Sequence, residues 1–249
     1  MHWLKAIRVA FQFLTRIPVP ATESVGDEDR GKSLIFYPVV GLAIGGILLL
    51  LQLPFYTASA SLQAALILSA WVLITGALHL DGLGDSADAW LGGHGDRERT
   101  LEIMKDSDSG VAAVVLIVLV LLVKFAALEQ LLSSTPGWTA LLAAPVIGRA
   151  AVVALFLTTP YVRGEGLGRP LADHLSPKSS WISVALSLAF AVVLLGLWAP
   201  LVVLLTLLMA FVLRLLMIRS IGGTTGDTAG AMIEVVELTV LVGAALMTG

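Results

Sequence analysis

Long apolar segments separated by short polar connections dominate the pattern of this chain. Each segment is close to the roughly 20 residues that a helix needs to cross a hydrocarbon core about 30 Å thick. We therefore predict seven membrane-spanning helices within a single domain covering residues 1–249. The expected ranges are 34–53, 62–80, 111–132, 137–159, 181–199, 201–218 and 228–247. Pro200 suits the first turn of a helix, which predicts a tight turn between the fifth and sixth spans at Ala199 and Pro200.

The N-terminal 18 residues show a different pattern, in which apolar and polar side chains fall on opposite sides of a helix. One side carries Trp3, Leu4, Ile7, Phe11 and Leu14, and the other carries Lys5, Arg8, Gln12 and Arg16. This pattern predicts an interfacial amphipathic helix over residues 1–18 that lies on the membrane surface.

Composition supports a membrane protein and excludes several other classes. Hydrophobic residues make up 57% of the chain, charged residues make up 13%, and the mean hydropathy is +0.94. We expect an all-α, polytopic integral membrane protein whose surroundings are a lipid bilayer. The chain has no cysteine, which excludes disulfides and thiolate metal sites. No basic stripe is present, so we expect no nucleic-acid partner.

The basic residues predict the orientation in the membrane. Lysine and arginine are concentrated before the first span and in alternate connections, whereas residues 54–61, 133–136 and 199–200 contain none. By the positive-inside rule, the N-terminus and the long polar loops are cytoplasmic and the C-terminus lies outside.

The segment "HLDGLGDSADAW", residues 79–90, brings three aspartates together directly after the second apolar segment. Asp81, Asp85 and Asp88 follow an i, i+4, i+7 spacing, which places them on one stripe of a helix. Such carboxylates repel one another unless a hard cation such as Mg²⁺, Mn²⁺ or Ca²⁺ neutralises them. His79 is a candidate proton acceptor. The alternatives are a solvated loop start and a histidine that only hydrogen-bonds a neighbouring carboxylate.

A second polar segment, "GGTTGDTAGAMIEVVE", covers residues 222–237. Glycines and threonines before a helix let backbone N–H groups and the helix N-terminus approach an anion such as a phosphate. The candidate phosphate-binding residues are Gly222, Gly223, Thr225 and Gly226. Asp227 and Glu234 are further candidate metal ligands on nearly the same helical face. The alternative interpretation pairs acids with cations inside the membrane: Glu234 and Glu237 with Arg149 or Lys124.

Three basic residues complete the expected site. Lys105, Arg149 and Arg163 are candidate ligands of phosphate oxygens, for which the planar fork of arginine is well suited. Acidic metal ligands, an anion-binding loop and arginines at one membrane surface together predict metal-assisted transfer chemistry on a diphosphate.

These motifs resemble those of the cobalamin-5′-phosphate synthase family, the adenosylcobinamide-GDP ribazoletransferases. The likeness includes four further segments: "FLTRIPVP" at 13–20, "FYPVVGLAIG" at 36–45, "MKDSDSG" at 104–110 and "PYVRGEGLG" at 160–168. The motifs run in the same order from near residue 11 to near residue 237. Ala89 departs from the glycine that is common after the third aspartate, which puts only the local backbone geometry in doubt.

The resemblance implies a reaction and a location. Adenosylcobinamide-GDP would be joined to α-ribazole or its 5′-phosphate and GMP released, with Mg²⁺ or Mn²⁺ as cofactor. His79, Asp85 and Asp227 would be catalytic, and the metal would be held by Asp81, Asp85 and Asp88 with Asp227 or Glu234. The expected location is a bacterial or archaeal cytoplasmic (inner) membrane, with the active site facing the cytoplasm.

Other functions remain as alternatives at the level of the sequence. A CDP-alcohol phosphotransferase of lipid synthesis also has an aspartate-rich membrane site, but its DGxxAR pattern is absent here. A cation or proton transporter would use the acids as a relay, although nearly all of them fall on the cytoplasmic side. A non-catalytic scaffold would leave the paired polar motifs without a purpose. The small residues at 41–46 permit close helix packing within the chain or in a homo-oligomer.

Overall fold

A computed structural model describes residues 2–20, 22, 25–106, 108–134 and 137–248. Over these ranges the chain forms helices and no β-strand, apart from one isolated bridge between Tyr161 and Thr224. The α-helices are α1 (His2–Leu14), α2 (Asp27–Ser33), α3 (Tyr37–Gln52), α4 (Ala60–Thr75), α5 (Leu78–Gly92), α6 (Arg97–Ile103), α7 (Val111–Leu132), α8 (Trp138–Thr158), α9 (Arg169–Asp173), α10 (Pro177–Leu195), α11 (Ala199–Ile221) and α12 (Gly226–Thr248). Short 3-10 turns at Leu34–Phe36, Leu53–Phe55 and Gly196–Trp198 extend or join them.

The predicted all-α polytopic membrane fold is confirmed, but the count of seven spans is not. Five helical stretches within the described ranges are long and apolar enough to cross a membrane, and a sixth is added if the bent pair α4 and α5 counts as one span. The five are Asp27–Phe55, Val111–Leu132, Trp138–Thr158, Pro177–Ile221 and Gly226–Met247.

The longest of these stretches, α10 with α11, has 45 residues. A straight helix of that length would measure about 68 Å, more than twice the hydrocarbon core. The stretch is interrupted at Gly196, whose φ is 57°. Near one end, Ser183 donates to the carbonyl of Ile35 at 2.7 Å, before the start of α3. Near the other end, Arg214 donates to the carbonyl of Thr158 at 2.6 Å, at the end of α8.

Helices α3 and α8 run antiparallel, so the start of α3 and the end of α8 lie at the same end of the molecule. The contacts of Ser183 and Arg214 are therefore at the same end too. A Cβ at Gly45 would lie 2.7 Å from the carbonyl oxygen of Leu141, and Gly41 approaches the backbone of Pro145 as closely. The small residues at 41–46 thus serve close helix packing within the chain. Helices α10 and α11 accordingly turn back near Gly196 and both line a crevice beside α8.

The predicted second span, 62–80, is divided into two helices. Helix α4 ends at Thr75, and α5 begins at Leu78 with its axis turned by 85°. Gly76 and Ala77 have φ values of 63° and 57°, a left-handed pair that ends the first helix. The side chain of Arg16 packs directly over Gly76, where a Cβ would clash with it. The bend turns the aspartate-rich segment across the start of α12.

The predicted N-terminal helix forms over His2–Leu14, and its placement at the membrane surface stays a prediction. Helix α1 ends at Leu14, and the small residues Ala6 and Ala10 are fully buried. Trp3 and Leu4 are 56% and 66% exposed. The helix packs on α2 and α3, so small residues face the protein while the large apolar side chains near its start face outward.

Candidate active site

The two acidic motifs meet where α5 crosses the start of α12. A Cβ at Gly82 would lie 2.7 Å from the carbonyl oxygen of Asp227 and 2.9 Å from its Cα. A Cβ at Gly230 would lie 3.3 Å from the backbone of His79. Only glycine at both positions lets the two helices approach this closely, and the approach brings Asp81 and Asp227 to the wall of one cavity.

Acidic charge is concentrated at this crossing. Asp81 is exposed, while Asp85 and Asp227 are half-buried. Asp85 interacts electrostatically with Asp81, Asp227 and Asp88, and the one opposing charge among these interactions is that of Arg163. The predicted stripe of carboxylates on α5 therefore extends onto α12, and the acids repel one another across the crossing.

Asp88 has backbone partners in a different helix. Its carboxylate accepts hydrogen bonds from the backbone N–H of Gly110 at 2.6 Å and of Ala113 at 3.0 Å. These donors belong to the first turn of α7, which otherwise lacks a side-chain cap. Asp88 thus fastens α7 to α5.

Arg163 lines the cavity and connects the start of α12 to the turn after α6. Its Nη2 contacts Asp227 Oδ2 at 2.7 Å and donates to the backbone carbonyl of Met104 at 2.9 Å. The loop before Arg163 pairs with the glycine-rich loop, since Thr224 N–H donates to the Pro160 carbonyl at 2.9 Å and Val162 N–H donates to the Thr224 carbonyl at 3.0 Å. The structure therefore brings Arg163 to the start of α12, as the predicted site requires.

The glycine-rich loop divides into an open part and a buried part. Gly222, with a φ of 77°, and Gly226 are exposed, and a Cβ at Gly226 would meet nothing within 4 Å. Thr225 is fully buried and caps α12, because its hydroxyl accepts from the N–H of Thr228 at 3.2 Å. Gly223 is buried against the Pro160 backbone. Approach of an anion to this loop is thus open at Gly226, whereas the N–H of Gly222 caps α11 by donating to the Ile218 carbonyl at 3.0 Å.

Arg149 and Glu234 lie apart from the exposed acids, in a buried charge cluster between α7, α8 and α12. Lys124 contacts Glu234 at 2.6 Å and Glu237 at 2.8 Å, and Arg149 forms an ion pair with Glu237. Two positive and two negative side chains balance, which is how ionisable groups are tolerated at membrane depth. This arrangement matches the alternative interpretation of the two glutamates.

His79 lies between the buried charge cluster and the cavity. Its ring is 2% exposed, and Nδ1 is 3.5 Å from Nη2 of Arg149. Its Nε2 is buried and has no hydrogen-bond partner. His79 is one of the residues that line the cavity, and Nε2 is the ring nitrogen that is left for a further hydrogen bond.

The cavity has a volume of about 270 Å³. Its walls come from α1, α3, α5, α8, α9, α12 and the loop before α9. Asp81, Arg163, Gly226 and Asp227 form its polar part. Lys105 is exposed in the turn after α6 and does not line the cavity.

Two residues of this site were not singled out from the sequence. Met104 is 2% exposed, and besides its carbonyl it offers Sδ to the hydroxyl of Thr225 at 3.2 Å. Tyr161 stacks on Phe156 with ring centroids 5.9 Å apart, and burial raises the pKa of its hydroxyl. Met104 belongs to the segment "MKDSDSG" and Tyr161 to "PYVRGEGLG", but both side chains contact other segments of the chain, which local sequence does not indicate.

The donor chemistry at the crossing fits a hard divalent cation. Among the residues described, no three His, Asp or Glu side chains lie close enough together to hold an ion by themselves. Mg²⁺ is usually bound by one or two carboxylates together with substrate phosphates. Asp81 and Asp227, which face one cavity from two helices, are such a pair.

The fold and the site together define a helical membrane protein with an acidic site and an arginine at one end of its helices. Comparison with known proteins identifies the family: the cobalamin-5-phosphate synthase model matches residues 6–245, and the chain belongs to this family.

Several relatives are named adenosylcobinamide-GDP ribazoletransferase. Those of Pseudomonas fluorescens (strain Pf0-1) and Pseudomonas syringae pv. syringae (strain B728a) are each 54% identical, and the matches cover 96% of this chain and 98% of each relative. That of Stutzerimonas stutzeri (strain A1501) is 51% identical, with 97% and 98% covered. No solved structure matches the chain.

Proposed function

We propose that the protein is an adenosylcobinamide-GDP ribazoletransferase of the bacterial or archaeal cytoplasmic membrane. It would join the phosphocobinamide group of adenosylcobinamide-GDP to α-ribazole or α-ribazole 5′-phosphate and release GMP. Family membership and the names of relatives more than 50% identical support the reaction. The structural observation that carries the proposal is the meeting of Asp81, Asp227 and Arg163 at one cavity.

The reaction forms one phosphoester bond and breaks one diphosphate bond. A ribose hydroxyl of α-ribazole attacks the phosphorus that bears cobinamide, and GMP leaves with the bridging oxygen. Because α-ribazole 5′-phosphate is also an acceptor and keeps its phosphate, the attacking oxygen is a ribose hydroxyl other than the 5′ one. The proton of this hydroxyl must be accepted within the site, and the carboxylate of Asp85, half-buried beside Asp81 and Asp227, is the proposed acceptor. His79 accepts from Arg149 at Nδ1, so its neutral ring carries the proton on Nε2 and is a hydrogen-bond donor to the site.

The residues at the crossing would bind the diphosphate. Asp81 and Asp227 would hold Mg²⁺ or Mn²⁺, which when bound would neutralise the charge of the diphosphate oxygens. Arg163 orients Asp227 and presents its guanidinium to the same oxygens. The open backbone at Gly226, at the N-terminus of α12, favours an anion.

Four residues have a supporting role in this proposal. Asp88 holds α7 in place through two backbone N–H groups. Arg149 and Glu234 belong to the buried charge cluster, where Arg149 lies behind the His79 ring. Lys105, exposed beside Met104, would meet the part of the donor that remains outside the cavity.

Purified protein in lipid nanodiscs tests the proposal directly. GMP release from adenosylcobinamide-GDP should require both α-ribazole and a divalent metal, and should stop when the metal is chelated. CDP-alcohol donors serve as the control, since a lipid-synthesis enzyme would release CMP from them. Release of CMP, or no release of GMP with every substrate present, would contradict the proposal.

A further inference from the structure

The cavity below the acidic crossing has an inner half that the transfer step does not use. Its polar part, with Asp81, Arg163 and Asp227, lies at one end. The inner half is apolar and draws on five elements of the fold. It is lined by Phe13, Tyr37, Val152, Phe156, Leu171 and Ile233. A ligand that reaches the acids from this side must therefore have an apolar portion.

Two stacked pairs of aromatic side chains are among the residues that line the cavity. Phe13 and Tyr37 are stacked with centroids 6.2 Å apart and an interplanar angle of 24°. Phe156 and Tyr161 are stacked at 5.9 Å and 18°. Tyr37 and Phe156 are only 1% and 6% exposed, so their rings are held rigidly by packing. Rigid, flat, apolar walls favour a planar aromatic ligand.

We propose that the inner half of the cavity is the binding site for the dimethylbenzimidazole base of α-ribazole, with the ribose directed toward Asp81 and Asp227. The assignment rests on the proposed function. It adds that the acceptor, and not the GDP-activated donor, enters the cavity.

Size and polarity distinguish the acceptor base from the two other large groups of the reaction. A cavity of about 270 Å³ lies just below the range of small-molecule sites, so it accommodates a bicyclic ring and not a corrin macrocycle. Guanine carries a carbonyl, a ring N–H and an amine on one edge, and burying these against apolar walls would leave them without partners. Dimethylbenzimidazole has two methyl groups and one acceptor nitrogen, which suits apolar walls.

This placement also arranges the reacting groups. With the base between the aromatic pairs, the ribose lies beside His79 and the acids, which line the same cavity. The donor then approaches from the exposed side, where Gly226 is open. Its corrinoid remains outside, and the diphosphate meets the ribose hydroxyl at the crossing.

Filling the cavity tests the assignment. Val152→Phe adds bulk to the inner half, and should raise the KM for α-ribazole about tenfold or more while leaving the KM for adenosylcobinamide-GDP unchanged. Ala154→Phe is the matched control, because Ala154 is on the same helix but lines the crevice toward α10 and α11. Binding of α-ribazole alone, followed by the fluorescence of its base, should weaken in Val152→Phe and not in Ala154→Phe.

A smaller acceptor substrate distinguishes a filled cavity from a general loss of protein structure in the Val152→Phe variant. The unaltered protein should prefer α-ribazole over the riboside of unmethylated benzimidazole by about fourfold per methyl group. Val152→Phe should reduce or reverse that preference, whereas a merely misfolded variant would lose activity equally with both. If Val152→Phe does not fold, Phe156→Leu gives the second test: it removes an aromatic wall and should raise the KM for α-ribazole alone.

The outcomes distinguish this inference from the proposed function. An unchanged preference between the two acceptors, or a raised KM for the donor alone, would overturn the cavity assignment while the transferase activity stands. Absence of GMP release by the unaltered protein would instead overturn the proposed function itself.

Discussion

Arg163 links three parts of the site through one nitrogen. Its Nη2 contacts Asp227 at 2.7 Å and the carbonyl of Met104 at 2.9 Å. A lysine ammonium ends one bond short of this position and lacks the planar fork, so it cannot keep the same geometry. Arg163→Lys should lower kcat/KM for GMP release about ten- to a hundredfold.

The matched control for this change is Arg169→Lys. Arg169 pairs with Asp173 at 2.7 Å on the surface, where both side chains are 45% exposed and the pair contributes little. Steady-state kinetics should show no change for Arg169→Lys. Equal losses in the two variants would mean that Arg163 has no special role.

Removal of a single charge from the buried charge cluster should be costly. Lys124 and Glu234 are 3% and 6% exposed, and Lys124→Met leaves Glu234 without a cation. The free energy of unfolding in detergent should fall by about 3–5 kcal/mol. Adding Glu234→Gln removes the unpaired charge and should recover most of the loss, because Arg149 still pairs with Glu237. A double variant no more stable than Lys124→Met would contradict this account.

At the scale of single residues, the sequence predicted which acidic side chains share a helix better than it predicted which groups they contact. The i, i+4, i+7 spacing correctly indicated that Asp81 and Asp85 lie on one helix. It did not indicate that Asp88 accepts from backbone groups 22 and 25 residues further along the chain. Local spacing reports a shared helical face, whereas such a contact depends on how two helices pack.

Close packing of α5 on α12 depends on glycine at the crossing. Gly82→Ala would place a Cβ 2.7 Å from the Asp227 carbonyl oxygen, so the two helices must separate. Displacing the acids by a fraction of an ångström to 1 Å should lower kcat/KM for GMP release up to about a hundredfold. Gly46→Ala, where a Cβ meets nothing within 4 Å, is the matched control and should be fully active. Normal activity of Gly82→Ala would rule out the need for close approach.

Among the helices, the sequence predicted best those whose apolar segment is bounded by polar residues at both ends. The range 111–132 is that of α7, and 137–159 differs from α8 by one residue at each end. Hydropathy continues unbroken through Gly76 and Ala77, so the 85° bend was missed. Its cause includes the packing of Arg16 over Gly76, a contact with a distant segment that no local pattern contains.

Lysine and arginine are absent from the connections 54–61, 133–136 and 199–200, which predicts that these connections lie outside and that the acidic site faces the cytoplasm. Because the chain lacks cysteine, single cysteines can report this orientation. Ser109 and Thr57 are both exposed, in the turns before α7 and before α4. In intact spheroplasts, Thr57→Cys should react with a membrane-impermeant maleimide, and Ser109→Cys should react only after the membrane is ruptured. The reverse pattern would place the site outside the cytoplasm.

The central claim is that carboxylates from α5 and α12 act as one unit on the diphosphate, and a double-mutant cycle measures this directly. Asp81→Asn, Asp227→Asn and the combined variant are compared by kcat/KM for GMP release. Groups that act as a unit give strongly non-additive losses, so we expect the combined variant to be little worse than either single variant. Losses that simply multiply would show that the two acids act independently and would contradict the account.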